Sequence, residues 1–521
     1  MTEDRLDTIK IVLLSAVLSG FSFWRQGNVG IDLVDEGYLW YGAIHTALGR
    51  VPIRDFHSYD PGRYYWAALW SFVFGRGIMG LRASLAVFQW MSLAAGLLAA
   101  KRVVKSWWAL ALVGVLLISW MHPYYKHFES GLAMMAVFFA VRLMERPVLS
   151  RYFSSGIFVG IAAFFGRNMG VYSLFAFLLL IFYVWLKFER TGLIKRWGVF
   201  VCGIGVGYSP VLVMILIIPG FFSSFFESVV FTLRLGAMTI PLPVPWPWSV
   251  GFSSLKRFFT GLLFLLMPLG YIAATAGLFL TGRRGRLAGR EHAGRRALLT
   301  ASAFVGLFYM HYAFSSADRG HLSLSIQPFL LMLVSLPYSI GLNRKKALSY
   351  VVFAFLFLIT VATASPQGRF FGSKKGYVKY DIIGDALWIK EKDARLIAGV
   401  KNAVERRVGK DEGILVAPYF PAFYCILGRE SPLREIYFLF PAEEKRQVEM
   451  IKTLEEKNVN WVIFRDLTPA AMEGLRFKNT NRLLWRYFES SFEPAGDADI
   501  PEGFFLLHRK ETPALPTGGG A

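Results

Sequence analysis

Apolar runs long enough to cross a hydrocarbon core of about 30 Å recur along the first 365 residues of this chain and then stop. That pattern constrains the fold more than any other, because in lipid each backbone polar group has to be satisfied within its own segment, so each run is a helix. Eleven runs fall near 9–24, 79–100, 106–121, 129–144, 152–166, 169–186, 197–218, 258–280, 298–313, 322–341 and 347–364. A chain that is 55% hydrophobic and 16% aromatic with only 18% charged residues is too apolar for an ordinary soluble protein. The expected class is a polytopic α-helical membrane protein of about eleven spans.

Two domains follow. Residues 1–365 form the transmembrane part, with a first outer loop over 25–78, and residues 366–521 read as a small α/β domain. In the latter, DALWIKEKDARLIAGVKNAVERRV and EKRQVEMIKTLEEKNV have amphipathic helical patterns, while GILVAP, NWVIFRD and GFFLLHRK read as strands. The closing TPALPTGGGA is expected to be a disordered tail. The first run, IVLLSAVLSGFSFW, has no small-residue cleavage site and is read as a retained span. Cys202 sits in an apolar run and Cys425 in the polar part, which excludes a disulfide framework.

The net charge of +21 is concentrated in residues 1–365, where 33 Lys and Arg face 14 Asp and Glu. Nineteen of those cations lie in KRVVK, RLMERPVLSR, KFERTGLIKR, GRRGRLAGREHAGRR and NRKK, which alternate along the chain and so share one side of the membrane. Basic residues in short links are what the positive-inside rule demands, and they argue against nucleic acid as a partner. The other side receives the first loop, HPYYKHFES, GRNMG, the 219–257 segment and SSADRGH, and with them the C-terminal domain. Within 219–257, PLPVPWPW forbids regular helix and suits the interface; the segment reads as a loop over the bilayer, either a lid or a packed connection.

Five of the fourteen acids of residues 1–365 lie in one stretch, IDLVDEGYLWYGAIHTALGRVPIRDFHSYDPGRYY. They are Asp32, Asp35, Glu36, Asp55 and Asp60. DEGYLWYGAIHTALG has helical spacing, ended by Gly49 and Pro52, and YYWAALWSFVF is a second candidate for an interfacial helix. Asp35 and Glu36 open the first helix, where acids complement the helix dipole; a positioned carboxylate is also what deprotonation of a hydroxyl needs. His57, Tyr59, Asp60, Arg63 and Tyr64 lie close by in sequence.

Asp35-Glu36 with Tyr38, Gly49, Pro52, Asp55 and the Tyr-Asp-Pro-Gly at 59–62 resembles the first outer loop of membrane glycosyltransferases of the GT-C superfamily. Its members include lipid A aminoarabinose transferases and protein O-mannosyltransferases. The resemblance implies a GT-C-like fold, a sugar donor on polyprenyl phosphate, an extracytoplasmic glycan, lipid or protein acceptor, and Asp35 as general base with Glu36 its partner or Asp60 in its place. It also implies a bacterial inner membrane with the site and C-terminal domain outside the cytoplasm. The chain has HSYDPGRYY where the aminoarabinose enzymes carry a Lys-Pro-Pro element, so their substrate is not implied.

Charge develops on a phosphate leaving group as the glycosidic bond breaks, and cations outside the bilayer are needed to meet it. Arg63, Lys126, Arg167, Arg319 and His321 are the candidates, with Asp318 placed to orient its neighbours; snorkelling to lipid phosphates is the competing role of each. Asp32, Asp35, Glu36 and His57 match no defined metal motif, so a divalent metal stays open, and no nucleotide-binding glycine pattern is present. The rival class is a flippase or transporter for lipid-linked glycans, which would place ionisable residues at mid-membrane. A noncatalytic scaffold is the third. Reporter fusions at Lys105, Lys195 and Arg290 are expected to report the cytoplasm, and fusions at Asp55 and Gly518 the outside; a cytoplasmic C-terminus would overturn this orientation.

Overall fold

The computed structural model describes residues 3–188, 191–236, 240–252, 254–280, 286–339, 345–496 and 500–510. The expected tail TPALPTGGGA, the fusion position Gly518 and parts of three basic links lie outside the described residues. The chain forms two compact units, Met1–Asn28 with Tyr59–Ser373 and Val29–Ser58 with Lys374–Ala521.

The first unit is helical, and each of the eleven apolar runs lies on a helix or a broken helix pair. Among the described residues seven helices are long and apolar enough to cross a membrane: Asp4–Gln26, Ile78–Ala100, Tyr124–Glu145, Arg167–Lys187, Leu193–Ile217, Leu255–Leu280 and Arg296–Phe314. An eighth span is made if Arg319–Ser325 and Gln327–Ser339, bent by 55° at their junction, act together. The count of eleven is therefore not reached by length, because Trp107–Trp120, Leu149–Phe165 and Ala347–Thr363 fall short of the roughly 20 residues a bilayer asks for. The protein is an integral membrane protein of helical class.

Within this unit Leu149–Phe165 and Leu193–Ile217 pack with their backbones in close approach. Gly156 and Gly160 on one helix meet Gly203 and Gly207 on the other. A Cβ on Gly156 would stand 2.1 Å from the Phe200 carbonyl oxygen, and one on Gly207 2.1 Å from that of Ile157. Two Gly-x-x-x-Gly patterns thus face each other, the small-residue contact that membrane helices use when apolar burial gives them no drive to associate.

The segment 219–257 departs from the expected loop. Phe221–Leu235 is a helix, and the PLPVPWPW run begins only at Pro241, beyond it, with one short helical turn at Pro247–Val250.

The second unit carries two sheets. Tyr377–Ile382 and Asp385–Lys390 form an antiparallel hairpin closed by Ile383 and Gly384, both at positive φ as a tight two-residue turn requires. DALWIK is therefore strand rather than the start of a helix, and the amphipathic helix begins at Glu391. The three expected strands, joined by Phe492–Pro494, which was not expected, form a mixed sheet in the order Ile414–Ala417, Trp461–Arg465, Phe504–Arg509, Phe492–Pro494, in which the first pair is parallel and the others antiparallel. Leu415, Val462, Phe464, Leu454, Phe477 and Phe488 build its core with the helices Glu444–Glu456 and Arg482–Ser491.

Residues 29–58 belong to this unit. Gly30 N–H donates to the Trp388 carbonyl at 2.7 Å, and Ala422 N–H to that of Leu33 at 3.3 Å. Gly37 lies so close to Ala422 that a Cβ would meet its backbone nitrogen at 2.6 Å.

Gly156→Ala is expected to force the two glycine-bearing helices apart and to cost about 1–3 kcal/mol or more. Gly205→Ala, on a face with nothing within 4 Å, should leave the melting temperature unchanged. Thermal unfolding of the detergent-solubilised protein reads both.

Candidate functional site

In the second unit the helix Asp35–Ala47 is started by Asp32, whose Oδ1 accepts from the Val34 and Asp35 N–H groups at 2.8 and 2.9 Å. Glu36 answers by accepting from the Asp32 N–H at 3.2 Å and is only 2% exposed. The two acids therefore satisfy backbone donors that the first helical turn leaves open. Asp35 differs from both. It is partly exposed, and its Oδ1 accepts from the Tyr437 hydroxyl at 3.2 Å. Tyr437 packs on Tyr38 with ring centroids 5.3 Å apart, and the Tyr38 hydroxyl contacts His57 Nδ1 at 2.9 Å. His57 N–H donates to the Arg434 carbonyl at 2.7 Å. The structure thus joins Asp35, Tyr437, Tyr38 and His57 in one chain of contacts. Tyr437 had no signal in the sequence, because its partner lies 402 positions away.

Asp55 serves the loop. It pairs with Arg54 at 2.7 Å and accepts from Val51 N–H at 2.7 Å. Burial alone would raise its pKa, but these bonds hold it below the usual carboxylate value.

The remaining candidates lie in the first unit. Asp60 pairs with Arg167, Oδ1 to Nε at 2.7 Å, and its Oδ2 accepts from the Arg167 N–H at 2.8 Å, which caps the helix Arg167–Lys187. Arg167 also donates to Ser228 Oγ at 2.9 Å. Arg63 is 5% exposed, pairs with Glu129 at 2.6 Å, donates to the Phe165 carbonyl at 2.7 Å and lies over the Tyr59 ring at 4.9 Å. Tyr64 is fully buried, its hydroxyl accepting from Tyr59 N–H at 3.1 Å. Lys126 lies over the Tyr125 ring at 5.7 Å. These pairings make Arg63, Arg167 and Asp60 parts of the scaffold. Glu129, which sequence reading passed over, had a signal: it is an acid within a long apolar helix.

SSADRGH divides its residues. Asp318 caps the helix Arg319–Ser325 by accepting from His321 N–H at 2.8 Å and pairs with His321 Nδ1 at 2.9 Å. Burial opposes ionisation there, but the His321 contacts prevail and lower the Asp318 pKa. Arg319 instead lines a cavity of about 220 Å³ with His122, Tyr125, Ser323 and Arg369. Arg369 donates to the carbonyl oxygens of Ser119 and Ala364, yet its Nε and Nη1 are buried without a partner, as is His122 Nδ1. Among the described residues no carboxylate lines the cavity. Burial, and then the Arg319 charge, push Arg369 down to about 10; burial, followed by Arg369, His127 and Arg319, pushes His122 down to about 3. Arg369 was missed in the sequence, where His122 reads as a helix-end histidine, because only the fold brings 122, 319 and 369 together.

Among the described residues no group of three or more His, Cys, Asp and Glu is placed to hold a metal ion. Asp32, Asp35, Glu36 and His57 are instead distributed over the helix cap and the tyrosine contacts.

No family model and no curated protein matches the chain. Among solved structures, the chain is similar to ArnT from Cupriavidus metallidurans bound to undecaprenyl phosphate, at 14% identity and TM-score 0.48, over 98% of this chain and 99% of that one. It is similar also to ArnT from the same organism in the apo state, at 12% identity and TM-score 0.44, over 97% of this chain and 98% of that one.

Glu129→Gln is expected to strand the buried Arg63 guanidinium and cost about 3–5 kcal/mol. The double variant Arg63→Met with Glu129→Leu should recover most of that loss. Melting of both proteins in detergent checks the pair's scaffold role, and a single variant that melts like wild type would remove it.

Proposed function

We propose that this chain is a membrane glycosyltransferase that moves a sugar from a polyprenyl-phosphate-linked donor to a glycan, lipid or protein acceptor outside the cytoplasm. The observation that carries the proposal is the acid-free cavity where Arg319 and Arg369 meet, with buried guanidinium N–H groups that have no protein acceptor. Two like charges at a cavity without a carboxylate are a site prepared for an anion. A phosphate supplies acceptor oxygens for both guanidinium groups. The cavity accommodates a head group and leaves a polyprenyl tail to the bilayer.

The chemistry gives those cations work to do. As the bond from the anomeric carbon to phosphate oxygen breaks, the phosphodiester becomes a monoester and takes on a second negative charge. Arg319 and Arg369 stabilise that charge more than the first, which is the condition for lowering a barrier. The acceptor hydroxyl forms the new bond to the anomeric carbon and gives its proton to a carboxylate. Asp35 is the base we assign, since Glu36 and Asp32 serve the helix cap and Asp60 is held by Arg167. The Tyr437 hydroxyl fixes its orientation. His57, Tyr59, Lys126 and His321 are proposed contacts of the bound substrates, and the protein is placed in a bacterial inner membrane with this chemistry on the outer side.

Purified protein supplied with a panel of labelled polyprenyl-phosphate sugars should consume one of them. Arg369→Gln is expected to lower turnover by about 10²–10³-fold and to weaken inhibition by free polyprenyl phosphate. Asp35→Asn should slow the chemical step by about 10²–10⁴-fold while donor binding survives. Consumption of no donor, or wild-type turnover per folded molecule in both variants, would end the reading.

A further inference from the structure

The second unit contains its own cavity, and nothing in the donor chemistry uses it. It has a volume of about 330 Å³, at the small end of the roughly 300–1,000 Å³ that small-molecule sites span. Tyr41, His45, Arg50, Glu430, Arg446 and Lys457 stand on its wall. We propose that this cavity binds a saccharide bearing an acidic group, a role that holds whether or not the chain transfers sugar.

Each hydroxyl of a sugar both donates and accepts, so a sugar site needs donors and acceptors side by side. The wall supplies them as pairs. Arg50 meets Glu430 at 2.9 Å, and Arg446 holds both oxygens of Glu435, Nε at 2.8 Å and Nη2 at 3.1 Å. Arg446 also reaches Glu449 at 2.8 Å, which fixes its fork in place.

His45 adds a group that does both. Burial holds its pKa below the usual value, outweighing the pull of Glu430, so the ring is neutral at pH 7 and presents one donor and one acceptor nitrogen. Among the described residues neither ring nitrogen has a hydrogen-bond partner. The ring lies on Tyr41 with centroids 4.0 Å apart, and the Tyr41 hydroxyl accepts from Ser431 N–H at 3.1 Å. The imidazole is thus held in position without using its polar atoms.

Lys457 supplies the acid preference. It follows the helix Glu444–Glu456, and its Nζ donates to the Pro432 carbonyl at 2.7 Å rather than to a carboxylate. Four cations, Arg50, Arg434, Arg446 and Lys457, line the cavity against two carboxylates, Asp55 and Glu430, so the wall keeps a positive excess to which the Lys457 ammonium contributes. A neutral sugar meets the pairs alone, and a carboxylate on the sugar adds the ammonium.

The probes are glucuronic acid, glucose and inorganic phosphate, each titrated into the full-length protein in detergent and followed by saturation-transfer NMR. Glucuronic acid is expected to bind about tenfold more tightly than glucose. Lys457→Gln should reduce that preference severalfold while glucose binding stays as it was, and Lys457→Arg should keep it. Thr453→Trp, which fills the cavity from its rim, should remove both sugars while the melting temperature stays near wild type. Absence of glucuronic acid binding in the wild type, or an acid preference unchanged by Lys457→Gln, would overturn the proposal. Phosphate bound as tightly as glucuronic acid with no response to glucose would overturn it also, as the mark of a bare anion hole. If Thr453→Trp fails to fold, the two Lys457 variants still decide the question.

Discussion

A charge taken out of water has to be neutralised where it stands, and that constraint sorts the ionisable groups of this protein into two kinds. Arg63 with Glu129 and Arg167 with Asp60 are carboxylate pairs, each tied further to a backbone group and each linking separate helices of the first unit. Arg369 is of the other kind. Its hydrogen-bond partners are backbone carbonyls, two of its buried polar atoms have no partner, and a second arginine stands at the same cavity. A guanidinium left open in this way is retained at a cost in stability. An incoming anion is the partner that offsets it.

The apolar half was legible in the sequence because burial in lipid writes itself into runs of about 20 residues that need no partner to be read. All eleven runs lie on helices, and the excess over seven or eight spans comes from short helices whose apolar length alone does not reach across. The Gly156/Gly160 and Gly203/Gly207 patterns were present in the sequence too, yet a glycine pair signals close packing only once its partner helix is known. DALWIK was misread because its six residues fit a helical pattern that the following segment extends, while the ladder to Tyr377–Ile382 that makes it a strand is a tertiary fact. The first loop gave its acids correctly as a cluster. It gave no sign that residues 29–58 pack with 374–521, because the contacts responsible, Gly30 with Trp388 and Gly37 with Ala422, span more than 350 positions.

The acids of that loop show how composition overstates chemistry. Five carboxylates in one stretch suggest a reactive centre, and the fold spends most of them on its own backbone. Asp32 and Glu36 close the start of one helix, Asp60 caps another, and Asp55 holds the Arg54 turn. The reason is local: a loop between apolar segments has few other groups to satisfy exposed N–H donors, and carboxylates do so with charge-assisted bonds. Clustering of acids is therefore as much a signature of helix starts as of catalysis.

What distinguishes a group available for chemistry is the kind of partner it keeps. Asp60 has its oxygens taken by Arg167, one by the guanidinium and the other by the backbone N–H. Asp35 accepts a hydrogen bond from the Tyr437 hydroxyl, a donor that orients a carboxylate. The same distinction separates the cations: Arg63 and Arg167 face carboxylates, whereas Arg319 and Arg369 donate to backbone carbonyls, which position a guanidinium and leave its charge in force. Polar groups oriented by neutral partners retain their full electrostatic effect for a ligand. That is the physical reason the assignments fall on Asp35, Arg319 and Arg369 and pass over residues that look as reactive in the sequence.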